Sequence, residues 1–357
     1  MKYLILIIPL LLISVYSCTK KLDLAEFPIS NNGGGTTVNE TLYVQQFPTW
    51  NQFNQPEAVL VGREPLIYVA DTKNNRVVQM DLSGMEIGSI TVYNPRALAQ
   101  DYNFDLLVIG DSVLTLTNDT VSVLYRVKLV EIGGIISNAV LLPLLKSDYP
   151  TPLTSRRRRF NGVGVFSDNS YIVTRTGPDN TSSLDPDNAL LQIRGIDSVS
   201  SVLNLSGFQV TGNGIYSIEK VFGITTFNNE LTDFIFTRNT QDFGFKIEWF
   251  LYNTTKGTYD PKFLPESDVD ILSRQIGTPV GITVDNNKNV YVVDNSYDSL
   301  YKFTSAGKFK NESFGGTGSG ENQLRRPGGV SFFDKVLYIA DTGNNRIVRY
   351  KLSTDLN

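Results

Sequence analysis

The sequence predicts an all-β repeat fold, in which short antiparallel units recur along most of the 357-residue chain. One segment occurs twice, as YVADTKNNR at residues 68–76 and as YIADTGNNR at residues 338–346. A weaker copy reads YVVDNSYDS at residues 291–299, and a proline precedes each copy at a nearly constant distance (Pro56, Pro279 and Pro327). A repeat of this length indicates a solenoid or a propeller.

These residues resemble the repeats of the NHL family of β-propellers. The likeness is close in the first and last units and weaker in the unit around Asp294. It implies a ring of four-stranded antiparallel blades. Counting the unit starts gives a six-bladed β-propeller, with five or seven blades as alternatives because the repeat diverges over residues 95–270. The predicted blades start at Pro56, Pro95, Phe160, Phe222, Pro279 and Pro327.

Within each unit, a proline and a short apolar run predict an inner strand, and a β-rich segment ending at an aspartate predicts the second. Asp71 and Arg76 flank the tight turn that follows, and Asp341 and Arg346 repeat the arrangement. We expect these residues to brace the turn by charge-assisted hydrogen bonds, as a structural signature of the repeat. Asp294 lacks the partner because a serine stands at the arginine position.

The two ends of the chain predict how the ring closes. The last unit stops one strand short of four, and residues 41–47 form an isolated β-like segment before the first unit. We expect this N-terminal strand to complete the final blade, because closure leaves only short, protected strand edges.

The first eighteen residues predict export. A lysine is followed by an apolar run too short to span a bilayer, and then by Ser-Val-Tyr-Ser-Cys18, which resembles a bacterial lipobox. We therefore expect a signal peptide over 1–17, a lipidated flexible tether over 18–40 and the propeller over 41–357. The chain would be a monomeric lipoprotein of the cell envelope, attached to the membrane through Cys18, at the periplasmic or outer surface of the outer membrane.

The sequence contains no histidine, and Cys18 is its only cysteine. Catalysis that uses imidazole or thiolate, and the zinc sites built from these groups, are therefore excluded. With 32 basic and 36 acidic residues, the chain has no strong field to attract nucleic acid. No catalytic residue and no cofactor is predicted, and these absences favour a binding protein or scaffold over an enzyme.

Arginines recur where the propeller topology puts loops at one mouth of the central channel. Convergent guanidinium groups would bind a carboxylate or phosphate, so the predicted ligand is an anionic glycan or a protein partner. Alternatively, these arginines are solvated or paired with neighbouring acids. The candidate ligand-binding residues are Arg96, Arg159, Arg175, Arg238 and Arg326.

Aromatic side chains in or near loops could stack on sugar rings, although many aromatics fill the space between blades. The aromatic candidates are Trp50, Phe53, Tyr102, Phe243 and Trp249.

A calcium-dependent propeller hydrolase or lactonase, acting on a lactone, ester or polysaccharide, is the alternative function, because calcium needs only oxygen ligands. The acids Glu57 and Asp101 are scattered. Asp179, Asp185 and Asp187 share one insertion, but their spacing does not match the EF-hand loop, which favours a solvated surface loop. Calcium in the central channel would favour the enzyme. A channel plugged by apolar side chains beneath a cationic rim would favour the binding protein. A third possibility is a pure protein scaffold.

Overall fold

The structure is a computed structural model, and it describes residues 41–114, 118–148, 156–182, 185–195, 197–209, 217–240 and 245–356. The predicted signal peptide, Cys18 and the predicted tether lie outside these residues. The described chain forms six four-stranded antiparallel sheets, so the predicted six-bladed β-propeller is confirmed. Among the described residues, no helix has the length and apolar character needed to cross a membrane.

The first strand, β1 (Tyr43–Trp50), belongs to the last blade, and blades 1 to 3 follow it along the chain. In each of them the strand order in space equals the order in sequence, as in a simple meander. The strands are β2 (Pro56–Val61), β3 (Ile67–Asp71), β4 (Arg76–Met80) and β5 (Glu86–Thr91) in blade 1; β6 (Ala97–Gln100), β7 (Leu106–Val113), β8 (Thr120–Val127) and β9 (Leu141–Lys146) in blade 2; and β10 (Arg159–Val165), β11 (Tyr171–Thr176), β12 (Ala189–Arg194) and β13 (Ser198–Val202) in blade 3.

Blades 4 and 5 repeat the meander, and blade 6 has three strands of its own besides β1. A one-turn helix, α1 (Asp270–Ser273), connects blade 4 to blade 5. The strands are β14 (Val221–Thr226), β15 (Phe234–Arg238), β16 (Ile247–Asn253) and β17 (Thr258–Pro261) in blade 4; β18 (Pro279–Val284), β19 (Val290–Asp294), β20 (Ser299–Phe303) and β21 (Phe314–Gly315) in blade 5; and β22 (Val330–Phe333), β23 (Val336–Asp341) and β24 (Arg346–Leu352) in blade 6.

The N-terminal strand β1 pairs antiparallel with β24, so both ends of the propeller share one sheet. The register runs from Tyr43 opposite Leu352 to Trp50 opposite Ile347, with an irregularity before Trp50. The strand begins two residues later and ends three residues later than the predicted 41–47.

The apolar core is divided into six clusters, one between each pair of neighbouring blades. The second strand of a blade lies between two such clusters, which explains its nearly continuous apolar sequence. In β3 all five residues are buried, and Asp71 at its end is 0% exposed. The ring is therefore stabilised by burial between its blades, without a separate central core.

The six inner strands surround the ring axis, and each contacts the inner strands of both neighbouring blades, including β22 with β2. Side chains just after the repeat aspartate join successive blades. Thr72 Oγ1 donates to the Pro95 carbonyl at 2.7 Å, and Thr342 Oγ1 donates to the Pro56 carbonyl at 2.6 Å. This hydrogen bond fixes the proline at or just before the start of the next inner strand, and therefore also the position of the residue after that proline.

Candidate functional site

A cavity of about 400 Å³ lies on the ring axis and is lined by residues from all six blades. It opens on the side of the loops that precede the inner strands, which we call the mouth face. In a four-stranded meander, the turn between the second and third strands also lies on this face. The remaining turns lie on the opposite face.

β-Bulges aim side chains into this cavity. The register between β2 and β3 shifts on either side of Glu57, so Glu57 is the extra residue of a bulge. Similar shifts flank Asn161, Phe222 and Val280 in blades 3, 4 and 5. A bulge bends the strand and re-aims a side chain. Blades 2 and 6 show no such shift, but Arg96 and Gly328 line the cavity at the equivalent position, so each blade contributes one residue to a ring at the mouth.

This mouth ring is polar on one side and apolar on the other. Its polar residues come from three consecutive blades, so charge is concentrated in one half of the cavity. A ligand with one polar and one apolar side would match this division. The polar half is Glu57, Arg96 and Asn161, and the apolar half is Phe222, Val280 and Gly328.

Two residues further along each inner strand, a second ring is entirely aliphatic. In five of its members the exposed fraction is only 5–8%. Among the described residues of the inner strands, none beyond this ring lines the cavity, so the ring forms its bottom. We call it the floor ring, and it consists of Val59, Leu98, Val163, Ile224, Ile282 and Val330.

Glycines allow the inner strands to approach closely enough to close the floor. A Cβ added at Gly223 would lie 2.4 Å from the Val280 carbonyl oxygen, and one at Gly328 would lie 2.6 Å from the Glu57 carbonyl oxygen. Both distances are far below a normal contact, so a side chain at either position would push two blades apart.

Two of the predicted arginines, Arg96 and Arg326, lie at the mouth. Arg96 forms an ion pair with the buried Asp111, which partly neutralises its charge. The Arg326 side chain is exposed, and none of the described residues accepts a hydrogen bond from its guanidinium. Its backbone has a φ of +45°, and its amide donates to Asp298 Oδ1 at 2.5 Å, which fixes the residue in place. Arg326 is therefore available to an anionic ligand.

Glu57 is the carboxylate of the mouth ring. Within the described part of the chain, its carboxylate accepts no hydrogen bond from a protein donor. Burial raises the pKa of Glu57, and the positive charges of Arg96 and Lys73 oppose this rise. The cavity therefore contains an acceptor that a ligand hydroxyl could satisfy.

Two asparagines add further acceptors. Asn161 Nδ2 donates to Thr176 Oγ1 at 2.9 Å, and Asn295 Nδ2 donates to the Pro327 carbonyl at 3.3 Å. Because both amide nitrogens bond to the protein, the amide oxygens remain for the cavity, which both residues line.

Arg175 and Arg238, in contrast, do not line the cavity. The strand register puts both at the position that Asp71 occupies in blade 1. Arg238 pairs with Glu248 at 3.0 Å, with exposed fractions of 1% and 5%, and Arg175 pairs with Asp185 at 2.7 Å. The prediction that these two arginines face the mouth is corrected, because the half-buried Asp185 and the buried Glu248 hold them in a charge-reversed version of the turn brace.

Arg159 also points away from the cavity. Its Nη1 donates to the carbonyls of Arg156 and Arg158 at 2.8 Å each, so it stabilises its own loop. Arg156 and Arg158 form ion pairs with aspartates. Of the four consecutive arginines, Arg157 is the one that is exposed and has no partner among the described residues.

The signature residues make the contacts expected of a turn brace. Asp71 accepts a hydrogen bond from Arg76 Nε at 2.8 Å, and Asp341 accepts one from Arg346 Nε at 2.6 Å. In the weaker copy, backbone amides replace the missing arginine, and four of them donate to Asp294 at 2.6–3.1 Å. All three aspartates are 0% exposed.

The proposed stacking aromatics belong to the core. Trp50, Phe53 and Trp249 are buried between blades, and Tyr102 is half-buried beneath an arginine guanidinium. Phe243 lies outside the described residues. The aromatic side chain at the cavity is Phe222, which the sequence interpretation used only to mark the start of a blade.

The described residues include no cluster of three or more carboxylates, histidines or cysteines that could hold a metal ion. Asp185 and Asp187 neutralise buried arginines, Asp101 pairs with another arginine, and Asp179 caps its own turn. Glu57 alone among these acids lines the cavity. The residues present therefore do not fit a carboxylate-rich calcium site.

Sequence reasoning missed Asn161, Phe222 and Asn295, and gave Glu57 no special weight. A simple signal could have found two of the four, Glu57 and Asn161. Each stands immediately after a predicted strand start, and the residue at this place changes between polar and apolar from blade to blade.

No protein-family model matches the chain, and no curated protein sequence matches it. Solved structures do share its fold. A luciferin-regenerating enzyme aligns with 87% of this chain and 95% of its own, at 11% identity and a TM-score of 0.59. An auxiliary nutrient binding protein from Bacteroides thetaiotaomicron aligns over 88% and 76%, at 13% identity and a TM-score of 0.57. A gluconolactonase from Xanthomonas campestris aligns over 88% and 98%, at 12% identity and a TM-score of 0.55. At these identities the likeness concerns the fold.

Proposed function

We propose that this protein is a binding module of the bacterial cell envelope that holds an anionic ligand at the mouth of its central cavity. The observation that carries the proposal is Arg326, an exposed guanidinium without a partner among the described residues, above a cavity with an aliphatic floor. Guanidinium groups bind carboxylate or phosphate bidentately. A positive charge at the mouth above an apolar floor is the arrangement that favours the binding protein over the enzyme.

The chemistry of the mouth ring supports an acidic sugar as the ligand. Arg326 would take the carboxylate or phosphate, and the acceptors Glu57 and Asn161 would take hydroxyl hydrogens. Phe222, in the apolar half, would cover the C–H face of the sugar ring. A purely inorganic anion would leave Glu57 without a donor and close to a like charge, so it fits the cavity less well.

Export and lipid attachment complete the proposal. A signal peptide over 1–17, lipidation of Cys18 and a tether over 18–40 would display a monomeric, NHL-type propeller at the outer membrane, facing the periplasm or the outside. The neighbours include a protein named for nutrient binding and one named as a gluconolactonase, so the shared fold does not decide between binding and catalysis. The residues of the cavity support binding.

The alternative, a calcium-dependent hydrolase, is favoured by one observation, the half-buried carboxylate of Glu57 in the cavity. A single carboxylate with amide oxygens is a weak ligand set for calcium. Calcium that binds this site would raise the melting temperature, by an amount that grows with the logarithm of its concentration above the Kd. Stoichiometric calcium in the purified protein, lost in a Glu57→Gln variant, would favour the hydrolase and reject the binding module.

The proposal is tested by titrating the full chain with glucuronate in a calorimeter, with glucose as the uncharged control. We expect glucuronate to bind and glucose not to bind. Arg326→Gln should weaken glucuronate binding about tenfold or more, the cost of a lost charge-assisted hydrogen bond. The matched control is Lys335→Gln, which removes an exposed cation on the opposite face and should change nothing. Wild-type affinity in Arg326→Gln would reject the proposed site.

A further inference from the structure

We propose that the ligand is the end of an acidic polysaccharide chain, whose terminal residue enters the cavity while the following residues cross a cationic rim outside it. This inference rests on the proposed function and specifies the ligand further. The inference is based on a set of exposed cations around the mouth that a ligand confined to the cavity could not reach. We define the cationic rim as Lys73, Arg157, Lys220 and Arg325.

Topology puts all four cations on the mouth face. Arg157, Lys220 and Arg325 lie in the segments that lead into the inner strands of blades 3, 4 and 6. Lys73 lies on the turn between the second and third strands of blade 1. The rim therefore extends around the mouth, beyond Arg326, and is contributed by four of the six blades.

The described residues do not neutralise the rim charges. All four side chains are exposed, and among the described residues none of them forms an ion pair or donates a side-chain hydrogen bond. The signature aspartates on this face are buried and fully used by the turns. Exposed acids also lie on this face, among them Asp179 and Glu321. The rim itself consists of cations, although the chain as a whole carries a net charge of −4. Such a patch attracts a polyanion.

The size of the cavity limits how much of a chain can enter. A cavity of about 150 Å³ accommodates one six-membered carbon ring. The cavity of about 400 Å³ therefore holds at most about two sugar residues. Along the inner strands, no described residue beyond the floor ring lines the cavity, so the cavity ends there and a chain does not pass through it. Only a chain end can occupy the cavity, and the rest of the chain must leave across the rim.

A glycan matches the cavity better than a nucleic acid does. The mouth ring offers Glu57 and Asn161 as acceptors for hydroxyl groups, and it offers Phe222 as a single apolar face. Single-stranded nucleic acids are bound on several aromatic side chains along a cationic groove. The described mouth provides one aromatic residue, Phe222, which is too few for such a groove.

The test uses oligogalacturonates of one, three and six residues, titrated into the full chain. We expect one protein molecule per oligosaccharide at every length, because each chain presents one suitable end. The hexamer should bind about tenfold or more tightly than the monomer at low salt, since its later residues contact the rim at high effective concentration. Raising the salt concentration should reduce this difference.

Two charge-matched triple variants separate the rim from general electrostatics. Replacing Lys73, Arg157 and Lys220 with glutamine should lower the affinity of the hexamer to that of the monomer, and leave the monomer unchanged. The control replaces three exposed lysines on turns of the opposite face with glutamine and should affect neither ligand. The control lysines are Lys128, Lys256 and Lys335.

Each outcome has a separate meaning. Equal affinities of monomer and hexamer would show that the cationic rim does not contact the ligand, and would leave the proposed function intact. A ratio of protein to oligosaccharide that rises with chain length would show lateral binding and reject binding by the chain end. Equal binding of an oligodeoxythymidylate of the same charge would show general polyanion binding instead. Failure of every uronate, the monomer included, would reject the proposed function together with this inference.

Discussion

Replacing Arg238 with methionine should destabilise the propeller strongly, because it leaves Glu248 buried without its partner. The two side chains are 1% and 5% exposed, and their charged atoms lie 3.0 Å apart. Arg238 also donates to the carbonyls of Ser217 and Glu219, at 2.8 and 3.4 Å. Removing one partner of a buried ion pair costs about 3–5 kcal/mol. We therefore expect a loss of this size.

The assay is urea unfolding followed by tryptophan fluorescence, with two companion variants. Replacing both partners, as Arg238→Met with Glu248→Leu, removes the uncompensated charge and should recover most of the loss. Lys256→Met breaks an exposed pair, in which the lysine is 61% exposed, and should cost less than about 1 kcal/mol.

Two results would refute this reasoning. A loss below about 1 kcal/mol in Arg238→Met would mean that the buried pair does not stabilise the blade. A fully folded Arg238→Met protein that no longer binds glucuronate would mean that Arg238 acts at the ligand site, as the sequence alone suggested.

Three further predictions concern the cavity and the joints between blades. Glu57→Gln should tighten glucuronate binding about fivefold, because it removes about 1 kcal/mol of repulsion between the two carboxylates; calorimetry at pH 7 measures this. Burial raises the pKa of Glu57 above its usual value of 4.5, so the folded state binds the proton more strongly than the unfolded state. This group should therefore lower wild-type stability as pH rises above about 4.5, and urea midpoints of the Gln variant should lack that contribution; identical pH profiles would contradict it. Gly223→Ala puts a Cβ 2.4 Å from the Val280 carbonyl and should cost about 1–3 kcal/mol in urea unfolding, whereas Gly164→Ala, whose nearest contact is a methyl at 3.1 Å, should cost less. Thr342→Val leaves a carbonyl of the next blade without its donor and should cost about 1–3 kcal/mol; an unchanged thermal melt would mean that water replaces the hydroxyl.

The blade count and the strand order could be predicted from the sequence because their signals are local. A proline before an apolar run, and an aspartate and an arginine around a short turn, lie within one unit of the repeat. Asp71 with Arg76 and Asp341 with Arg346 are five residues apart in the chain and meet in space. Local spacing was sufficient there because the turn itself brings the partners together.

The roles of Arg175 and Arg238 could not be predicted in the same way. Their partners, Asp185 and Glu248, are ten residues further along and reach them through a longer connection. A guanidinium in a loop and one inside a buried pair look alike in sequence, because only the strand register distinguishes them. For the same reason Glu57 was recognised as an acid but not as a cavity residue, since a bulge determines where its side chain points.

The pairing of β1 with β24 has a consequence for how the molecule folds. Tyr43 lies opposite Leu352, a separation of 309 residues (352 minus 43). Closing so long a loop is slow, because the chain loses conformational entropy before the contact between the two strands can stabilise it. The first strand must therefore wait, with its edge unpaired, until the last has been synthesised. During that interval the half-built ring is the form most exposed to aggregation and proteolysis, and a chaperone that covers residues 43–50 would protect it.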